Sequence, residues 1–176
     1  MKLTIPIGEP DHVLGAPDAS IVLVEYGDYE CPACGRAYPV IKELQDRLGE
    51  NLCFVFRNFP LTQVHPHALR AAEAAEAAAH LGRFWEMHDL IFENQDALED
   101  EDLFHYAREI GLQPAAFERA FGQEELVQRI KEDFRGGVNS GVDGTPSFYV
   151  NGYRYEGDWA SPGAMREDLE GLLVTR

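Results

Sequence analysis

Apolar residues in the first third of the chain predict a strand, a helix and a second strand. Residues 21–26 and 51–57 are nearly continuous apolar runs, a pattern typical of strands that are buried on both faces of a sheet. Between them, apolar residues recur at helical spacing over residues 32–48. Pro39 lies within this predicted helix and is expected to kink it. We also expect a short strand near residues 12–14.

The middle of the chain carries only helical patterns. The stretches with helical spacing are residues 66–82, 84–92, 99–110, 114–121 and 126–138. The acidic run at residues 99–102 suits a first helical turn, where negative charge is favoured, so we interpret it as helix capping rather than as a binding site. No repeat of fixed length relates these stretches, which argues against a repeat protein.

Strand patterns return near the C-terminus. Residues 147–150 and 153–155 are aromatic-rich runs joined by Asn151-Gly152, a pair typical of a type I′ hairpin turn. A last amphipathic helix follows this hairpin. The order of elements therefore predicts an α/β fold in which a helical insertion interrupts a sheet domain. The predicted boundaries are residues 1–65 and 141–176 for the sheet domain and residues 66–140 for the insertion.

The chain is acidic, with 31 Asp and Glu residues against 15 Lys and Arg residues and a formal net charge of −16. Such a charge disfavours nucleic acid and anionic membrane surfaces as partners. No apolar stretch is long enough to cross a bilayer, and residues 1–10 lack the apolar region of a signal peptide. We therefore expect a cytoplasmic protein without membrane insertion, and the mature form of an exported protein is the alternative.

Two cysteines, Cys31 and Cys34, directly follow the first apolar run and lie at the start of the predicted helix. A thiol at a helix N-terminus has a lowered pKa because the unpaired N–H groups and the helix dipole favour its negative charge. Pro32 suits the first turn, where its missing N–H is not needed. Cys34 follows one turn later and is expected to be less exposed. We therefore predict that Cys31 is the attacking thiol and that Cys34 is the resolving thiol.

A zinc site and a purely structural disulfide are the alternatives for this pair. Zinc requires a second pair of ligands at suitable spacing, and neither His65 and His67 nor His80 and His88 have the usual spacing. A disulfide across so short a loop adds little stability. The third cysteine, Cys53, falls in the second predicted strand and is interpreted as a core residue. We therefore predict redox chemistry without a metal.

Glu25 interrupts the first apolar run shortly before Cys31. Either it is an exposed residue at the end of the strand, or it is a buried proton acceptor near the thiols. The spacing alone does not choose between these interpretations. Burial would raise the pKa of Glu25 and let it take the proton of Cys34 during exchange.

Several motifs, in the same order along the chain, resemble the DsbA-like thiol-disulfide oxidoreductases of the thioredoxin superfamily. The resemblance rests on Cys31-Pro32-Ala33-Cys34, Glu25, Pro39, the segments at residues 13–19, 57–61 and 82–85, His65-Pro66 and Thr145-Pro146. It covers essentially the whole chain, and it implies a thioredoxin-like fold with a DsbA-like helical insertion. It also implies a redox-active disulfide between Cys31 and Cys34 and no other cofactor.

The resemblance further implies which residues meet the substrate. The Thr145–Pro146 bond is expected to be cis and to lie beside Cys31, where backbone groups of Thr145 pair with an extended substrate segment. Pro32 and Ala33 complete the implied substrate-binding residues. The implied partners are protein or small thiol and disulfide substrates, together with a redox recycling partner.

Three residues in or near the motif differ from what is expected in a strongly oxidising relative. Ala33 cannot donate a side-chain hydrogen bond or add positive charge near the Cys31 sulfur, and Asp28 and Glu30 bring negative charge close to it. Both features should raise the pKa of Cys31 relative to such a relative. We therefore predict a Cys31/Cys34 couple that is less oxidising than a typical exported DsbA.

The function predicted from the sequence is thiol-disulfide exchange at Cys31 and Cys34. One alternative is a redox-switched binding module or holdase, in which the disulfide changes the exposure of an apolar groove without turnover. Another is a glutathione-dependent isomerase or transferase on the same scaffold. The second cysteine disfavours this last alternative, because such chemistry does not need it.

Overall fold

A five-stranded mixed sheet forms the centre of the molecule. In the computed structural model, which describes residues 1–16 and 18–174, the strands lie in the order β1, β3, β2, β4, β5. Strands β2 and β3 are parallel, and the other neighbouring pairs are antiparallel. The strands are β1 (His12–Gly15), β2 (Ile21–Gly27), β3 (Leu52–Asn58), β4 (Ser147–Val150) and β5 (Tyr153–Arg154).

The helices fall where the sequence predicts them, with small differences at their ends. They are α1 (Pro32–Leu48), α2 (Ala68–His80), α3 (Phe84–Glu93), α4 (Asp100–Glu109), α5 (Pro114–Ala120), α6 (Glu124–Ser140) and α7 (Ala164–Val174). Pro39 lies inside α1. None of these helices is both long enough and sufficiently apolar to cross a membrane, as judged over the described residues. Helices α2 to α6 all lie between β3 and β4, and the division of the chain into two domains stays a prediction.

Helix α2 begins two residues later than the sequence pattern predicts. The pattern places its start at Pro66, whereas the first helical residue is Ala68. The N–H of His67 donates to Oε2 of Glu30 at 2.6 Å, so this residue is held by the turn after β2. The contact ties the beginning of α2 to the segment that leads into α1.

Strand β2 is buried on both faces, as its apolar run predicts. Ile21 and Leu23 pack into the larger core cluster together with residues of α1 and of helices α2 to α6, which together form the helical block. Val24 and Tyr26 belong to a smaller cluster, on the other face because side chains alternate along a strand. Cys53 lies in the smaller cluster with 3% of its surface exposed, which confirms it as a core residue.

The hairpin between β4 and β5 forms at Asn151-Gly152, as predicted. Both residues have positive φ, 49° and 84°, which a type I′ turn requires. Strand β5 is shorter than the predicted run at residues 153–155 and ends at Arg154, although the N–H of Tyr155 still donates to the carbonyl oxygen of Phe148 at 2.9 Å. The N-terminal segment joins this edge of the sheet through a bridge between Lys2 and Tyr153.

The acidic run at residues 99–102 caps α4, as predicted. The N–H of Glu99 donates to Oδ2 of Asp102 at 3.0 Å. Asp100, Glu101 and Asp102 occupy the first turn of the helix, where negative charge is favoured.

Candidate active site

Cys31 is the N-cap residue of α1 and directly follows the turn that leaves β2. Its backbone is extended, with φ of −69° and ψ of 121°, and Pro32 begins the helix. The N–H of Cys31 donates to Oδ1 of Asp28 at 3.2 Å, and its carbonyl accepts the N–H of Gly35 at 3.0 Å. The sulfur of Cys31 therefore lies at the end of α1 where backbone N–H groups lack helical partners.

The surroundings of Cys31 favour its thiolate and lower its pKa to about 5. The largest cause is the hydrogen bond with the Cys34 thiol, and backbone N–H groups of Cys34 and Ala33 act in the same direction, while burial opposes them. The Cys31 Sγ lies 3.5 Å from the carbonyl oxygen of Thr145. Cys31 is therefore ionised at neutral pH.

Cys34 is the deeper of the two motif cysteines, with 0% of its surface exposed against 7% for Cys31. Its Sγ accepts the N–H of Asp28 at 3.4 Å. Burial raises the pKa of Cys34 far above its usual range, and the hydrogen bond to Cys31 and the charge of Glu25 raise it further. Cys34 therefore keeps its proton while Cys31 is a thiolate. The three cysteines are free thiols in this structure.

Glu25 is buried, which answers the question that its spacing left open. Only 3% of its surface is exposed, and burial, followed by the negative charge of Cys31, raises its pKa to about 8. A Cβ at Gly27 would collide with the ring of Phe56 and would lie 3.0 Å from Oε1 of Glu25, so the glycine leaves room for both side chains. A carboxyl group with this pKa changes its protonation state at mildly alkaline pH.

The Thr145–Pro146 peptide bond is cis, and the carbonyl of Thr145 faces Cys31. The sequence alone indicates only a turn here, and the cis bond was implied by the family resemblance. Thr145, Pro146 and Ala33 are partly exposed, and Pro32 is exposed. The predicted site residues thus come together at one place, with the two thiols and Glu25 inside and these four residues around them.

Asp28 is the central polar residue of the site, a position that the sequence did not predict. Its side chain is completely buried. Its Oδ1 accepts the N–H groups of Glu30 at 2.8 Å and Cys31 at 3.2 Å. Its Oδ2 accepts the N–H of Leu61 at 2.8 Å and lies 2.8 Å from Nδ1 of His65. This carboxylate therefore fixes the turn before Cys31 to the segment after β3.

Each of the two carboxylates near the motif has a histidine partner. Asp28 pairs with His65, and Oε1 of Glu30 lies 2.9 Å from Nδ1 of His67. Neither carboxylate is among the groups that most affect the pKa of Cys31, which is lowered rather than raised. The predicted difference from a strongly oxidising relative stays a prediction.

Gln95, in the segment after α3, holds the same turn from the other side. Its Nε2 donates to the carbonyl oxygens of Tyr29 at 2.8 Å and Cys31 at 3.0 Å. A Cβ at Gly35 would collide with Gln95, so the glycine leaves room for this contact. The hydroxyl of Tyr29 also lies 3.0 Å from Nδ1 of His88 on α3. The helical block thus braces the backbone that carries Cys31.

The third cysteine and the histidines do not assemble around the motif as a metal site would require. Within residues 1–16 and 18–174, no group of three or more His, Cys, Asp and Glu side chains is arranged to hold a metal ion. Cys53 belongs to the smaller core cluster, whereas Cys31 and Cys34 belong to the larger one.

Comparison with solved structures identifies the fold. A thioredoxin-like oxidoreductase from Silicibacter pomeroyi DSS-3 is similar at 26% identity and a TM-score of 0.81, over 96% of this chain and 95% of that one. BdbD from Bacillus subtilis is similar at 24% identity and a TM-score of 0.81, over 94% of each chain. Alpha-DsbA1 from Wolbachia pipientis is similar at 20% identity and a TM-score of 0.82, over 98% of this chain and 95% of that one.

Curated relatives are more similar in sequence but much longer. The Na(+)/H(+) antiporter NhaA 1 of Mycobacterium sp. (strain KMS) is 42% identical over 160 residues, which are 90% of this chain and 26% of that protein. The NhaA 1 protein of Salinispora arenicola (strain CNS-205) is 45% identical over 160 residues, which are 24% of its length. This chain therefore spans about a quarter of the length of these relatives.

The family assignment rests on both kinds of comparison. The model of the thioredoxin family matches residues 8–167, which is most of the chain. The mixed sheet, the seven described helices and the similarity to DsbA-like structures confirm the predicted thioredoxin-like fold. The chain therefore belongs to the thioredoxin family, and its fold is similar to that of DsbA-like proteins.

Proposed function

We propose that this chain exchanges disulfides with protein or small thiol substrates through Cys31 and Cys34. The observation that carries the proposal is the contrast between the two thiols. The pKa of Cys31 is lowered to about 5, whereas Cys34 is fully buried and its pKa is raised. A thiolate is the attacking species and a thiol of low pKa is the better leaving group. The sulfur of Cys31 is therefore reactive at neutral pH, while Cys34 stays protonated until it resolves the mixed disulfide.

The two cysteines alone account for the electrons and bonds of the proposed exchange. A substrate thiolate attacks the Sγ of Cys31 in the oxidised protein, breaks the Cys31–Cys34 bond and releases Cys34, which takes up a proton. A second substrate thiolate then attacks the substrate sulfur of this mixed disulfide and releases the Cys31 thiolate. The substrate loses two electrons and becomes a disulfide, and the protein gains them. In the reverse direction Cys31 attacks a substrate disulfide and Cys34 resolves the intermediate.

Glu25 is the proposed proton partner of Cys34. The charge of Glu25 raises the pKa of Cys34, so the two groups interact electrostatically inside the protein. A pKa of about 8 supports this role, because a carboxyl group that titrates near the working pH can both accept and return a proton. An exposed carboxyl group with an ordinary pKa would be a weaker base and would accept the proton of Cys34 poorly.

The surface beside Cys31 supports binding of an extended protein segment. Backbone groups of Thr145 can pair with such a segment as an added strand does, next to the sulfur of Cys31. A groove of about 460 Å³ continues from Pro146 and is lined by Arg154, Tyr155 and Trp159, among others. Aromatic side chains beside a charged group suit peptide contacts. We propose that protein substrates and the recycling partner use this surface in turn.

The proposed couple is milder than that of a strongly oxidising DsbA. The Cys31 pKa of about 5 lies between the values of about 3.5 for DsbA and about 7 for thioredoxin. Ala33 contributes only its backbone N–H to the sulfur, which is consistent with an intermediate position. Because stabilising the thiolate stabilises the reduced protein, an intermediate pKa supports an intermediate reduction potential.

Replacing Cys34 by Ala tests the exchange directly. This variant lacks the resolving thiol, so we expect mixed disulfides between Cys31 and substrates to accumulate. They would be detected by non-reducing electrophoresis and mass spectrometry, and they would be absent after reduction. Cys53→Ala is the matched control, because it removes a buried cysteine that lies in the other core cluster.

The outcome also separates the enzyme from a binding module. Cys53→Ala should retain turnover of a disulfide substrate, and Cys31→Ala should lose both trapping and turnover. If Cys34→Ala traps nothing and the unmodified protein neither forms nor reduces disulfides, the proposal is wrong. Client binding that changes with oxidation under those conditions would instead favour the holdase alternative.

A further inference from the structure

Two histidine–carboxylate pairs hold the segment after β3 against the turn that carries Cys31. His65 pairs with Asp28 at 2.8 Å, and His67 pairs with Glu30 at 2.9 Å. The side chain of Asp28 is 0% exposed and that of His65 is 18% exposed, whereas His67 is 37% exposed and also contacts Glu99. Water screens a buried pair less than an exposed one, so the charge of His65 matters more than that of His67.

The buried pair is connected directly to both reactive thiols. The Asp28 carboxylate accepts the N–H of Cys31, and the N–H of Asp28 donates to the Sγ of Cys34 at 3.4 Å. A buried carboxylate without a counter-charge at this position would oppose a thiolate on Cys31. The side chain that can supply the counter-charge at 2.8 Å is His65.

His65 is held in conditions that favour its positive charge. Burial lowers its pKa, but the hydrogen bond and the charge of Asp28, together with the charges of Cys31 and Glu30, outweigh this and raise the pKa of His65 above its ordinary value. These are the charged groups that face His65 from the turn before α1. Protonation of His65 is therefore linked to the presence of the Cys31 thiolate, since each charge favours the other.

We propose that His65 is a positioning residue whose positive charge offsets the Asp28 carboxylate and thereby stabilises the Cys31 thiolate. The inference rests on the proposed function and adds a determinant of its redox potential. Reduction of the disulfide takes up two electrons and one proton and yields the Cys31 thiolate and the Cys34 thiol, so a group that stabilises the thiolate makes the protein a stronger oxidant. The contribution is complete when His65 is charged and is lost as the pH rises through its pKa.

The test compares His65→Asn with the matched control His105→Asn. Asparagine keeps an N–H donor close to the position of Nδ1 but cannot carry the charge, and His105 is an exposed histidine on α4. In reduced protein we expect His65→Asn to raise the pKa of Cys31 by about one pH unit, measured by thiolate absorbance. At about pH 6.5 we expect a tenfold change in the equilibrium with glutathione, about 30 mV toward a more reducing couple. His105→Asn should change neither quantity.

The pH dependence distinguishes a charge effect from a structural one. The difference in potential between His65→Asn and the unmodified protein should shrink as the pH rises through the pKa of His65, because the imidazole then loses its charge. His65→Lys should keep the low pKa of Cys31 and remain the stronger oxidant at pH 9, because lysine stays charged there. An unchanged Cys31 pKa in His65→Asn, a potential difference that is the same at every pH, or an equal effect of His105→Asn would each overturn the inference.

The same experiment separates this inference from the proposed function. If the unmodified protein has a reversible couple with glutathione and His65→Asn leaves it unchanged, the proposed function stands and the role of His65 is wrong. If the unmodified protein has no reversible couple, the proposed function fails. The titration of Cys31 in reduced protein still decides the role of His65 in that case.

Discussion

Cys31 and Cys34 are separated by only two residues, yet their surroundings give them opposite properties. Cys31 lies at the end of α1 beside unpaired backbone N–H groups, and its pKa falls to about 5. Cys34 is one helical turn deeper and is fully buried beside the carboxyl group of Glu25. Helix position and burial, rather than residue type, therefore assign the attacking and the resolving thiol.

Glu25→Gln tests whether Glu25 takes the proton of Cys34. Glu25 is protonated below its pKa of about 8 and ionised above it, so resolution of a mixed disulfide should become faster as the pH rises through this region. Cys31 carries no charge in a mixed disulfide, so the midpoint should fall somewhat below 8. At about pH 8 we expect the variant to resolve at least about tenfold more slowly, without this pH dependence, as measured by stopped-flow release of a fluorescent thiol from Cys31.

Glu109→Gln is the control for this change, because Glu109 is an exposed carboxylate on α4 and its replacement removes the same charge. It should resolve the mixed disulfide at the unmodified rate. Equal rates and equal pH profiles for Glu25→Gln and the unmodified protein would exclude Glu25 from the proton transfer.

The sequence was sufficient to predict the residues that take part in the chemistry themselves. It did not predict the residues whose role is to hold others in place through tertiary contacts. The two cysteines and Pro32 form a recognisable motif, and Glu25 is conspicuous because it is a charged residue in an otherwise apolar strand. Asp28 was interpreted as a nearby negative charge, because nothing local reveals that His65 will neutralise it. Gln95 carried no signal at all, since its role depends on a contact with the Cys31 carbonyl that only the folded chain creates.

At the level of elements, the start of α1 is held by the segment that follows α3. Gln95 donates from one amide nitrogen to two carbonyl oxygens, those of Tyr29 and Cys31. Gln95→Ala should lower the free energy of unfolding by about 1–3 kcal/mol, because each hydrogen bond contributes about 0.5–1.5 kcal/mol. Urea unfolding measures this change. Gln128→Ala is the control, because Gln128 is an exposed glutamine of α6 whose side-chain amide nitrogen donates to Glu124 on the same helix.

The contact between Gly35 and Gln95 predicts that the effect of Gly35→Ala on stability has opposite signs with and without the Gln95 side chain. Alanine normally stabilises a helix interior relative to glycine by about 0.5–1 kcal/mol. In α1 a Cβ at Gly35 collides with Gln95, so Gly35→Ala should destabilise the unmodified protein. In the Gln95→Ala background the same substitution should stabilise it. The same sign in both backgrounds would show that Gln95 does not constrain this turn.

The existence and order of the elements could be predicted because they follow from local patterns. Apolar runs predicted β2 and β3, helical spacing predicted α1 to α7, and Asn151-Gly152 predicted the hairpin. The ends of elements were less accurate where tertiary contacts decide them. Helix α2 begins at Ala68, and the residue before it, His67, is bound to Glu30, a contact that sequence periodicity does not contain.

In the whole molecule, the fold brings distant parts of the chain to one cysteine. The segment after β3, the segment after α3 and the Thr145–Pro146 loop each contact Cys31 or the turn that carries it. The family resemblance predicted the contact of the Thr145–Pro146 loop, because Thr145-Pro146 is a recognisable motif. The other two depend on how the helical block packs on the sheet, and the periodicity of a sequence does not specify that packing.

The charge of the whole molecule is a separate matter from the charge of its site. The chain has a formal net charge of −16, which suggests that carboxylates surround the motif and oppose a thiolate. Around Cys31, however, Asp28 and Glu30 are paired with His65 and His67, and the hydrogen bond with Cys34 is the largest cause of the lowered pKa of Cys31. Local hydrogen bonds to the sulfur therefore outweigh the net charge, since short-range contacts in a buried region are screened least.

The reduction potential of the Cys31/Cys34 couple, measured in glutathione buffers across pH, tests the central claim most directly. We expect a reversible two-electron couple between about −270 mV, the value for thioredoxin, and about −120 mV, the value for DsbA. Above pH 5, where Cys31 is a thiolate and Cys34 is a thiol, one proton accompanies two electrons, so the potential should fall by about 30 mV per pH unit around pH 7. A slope of about 59 mV per pH unit there, or no reversible couple, would contradict the account.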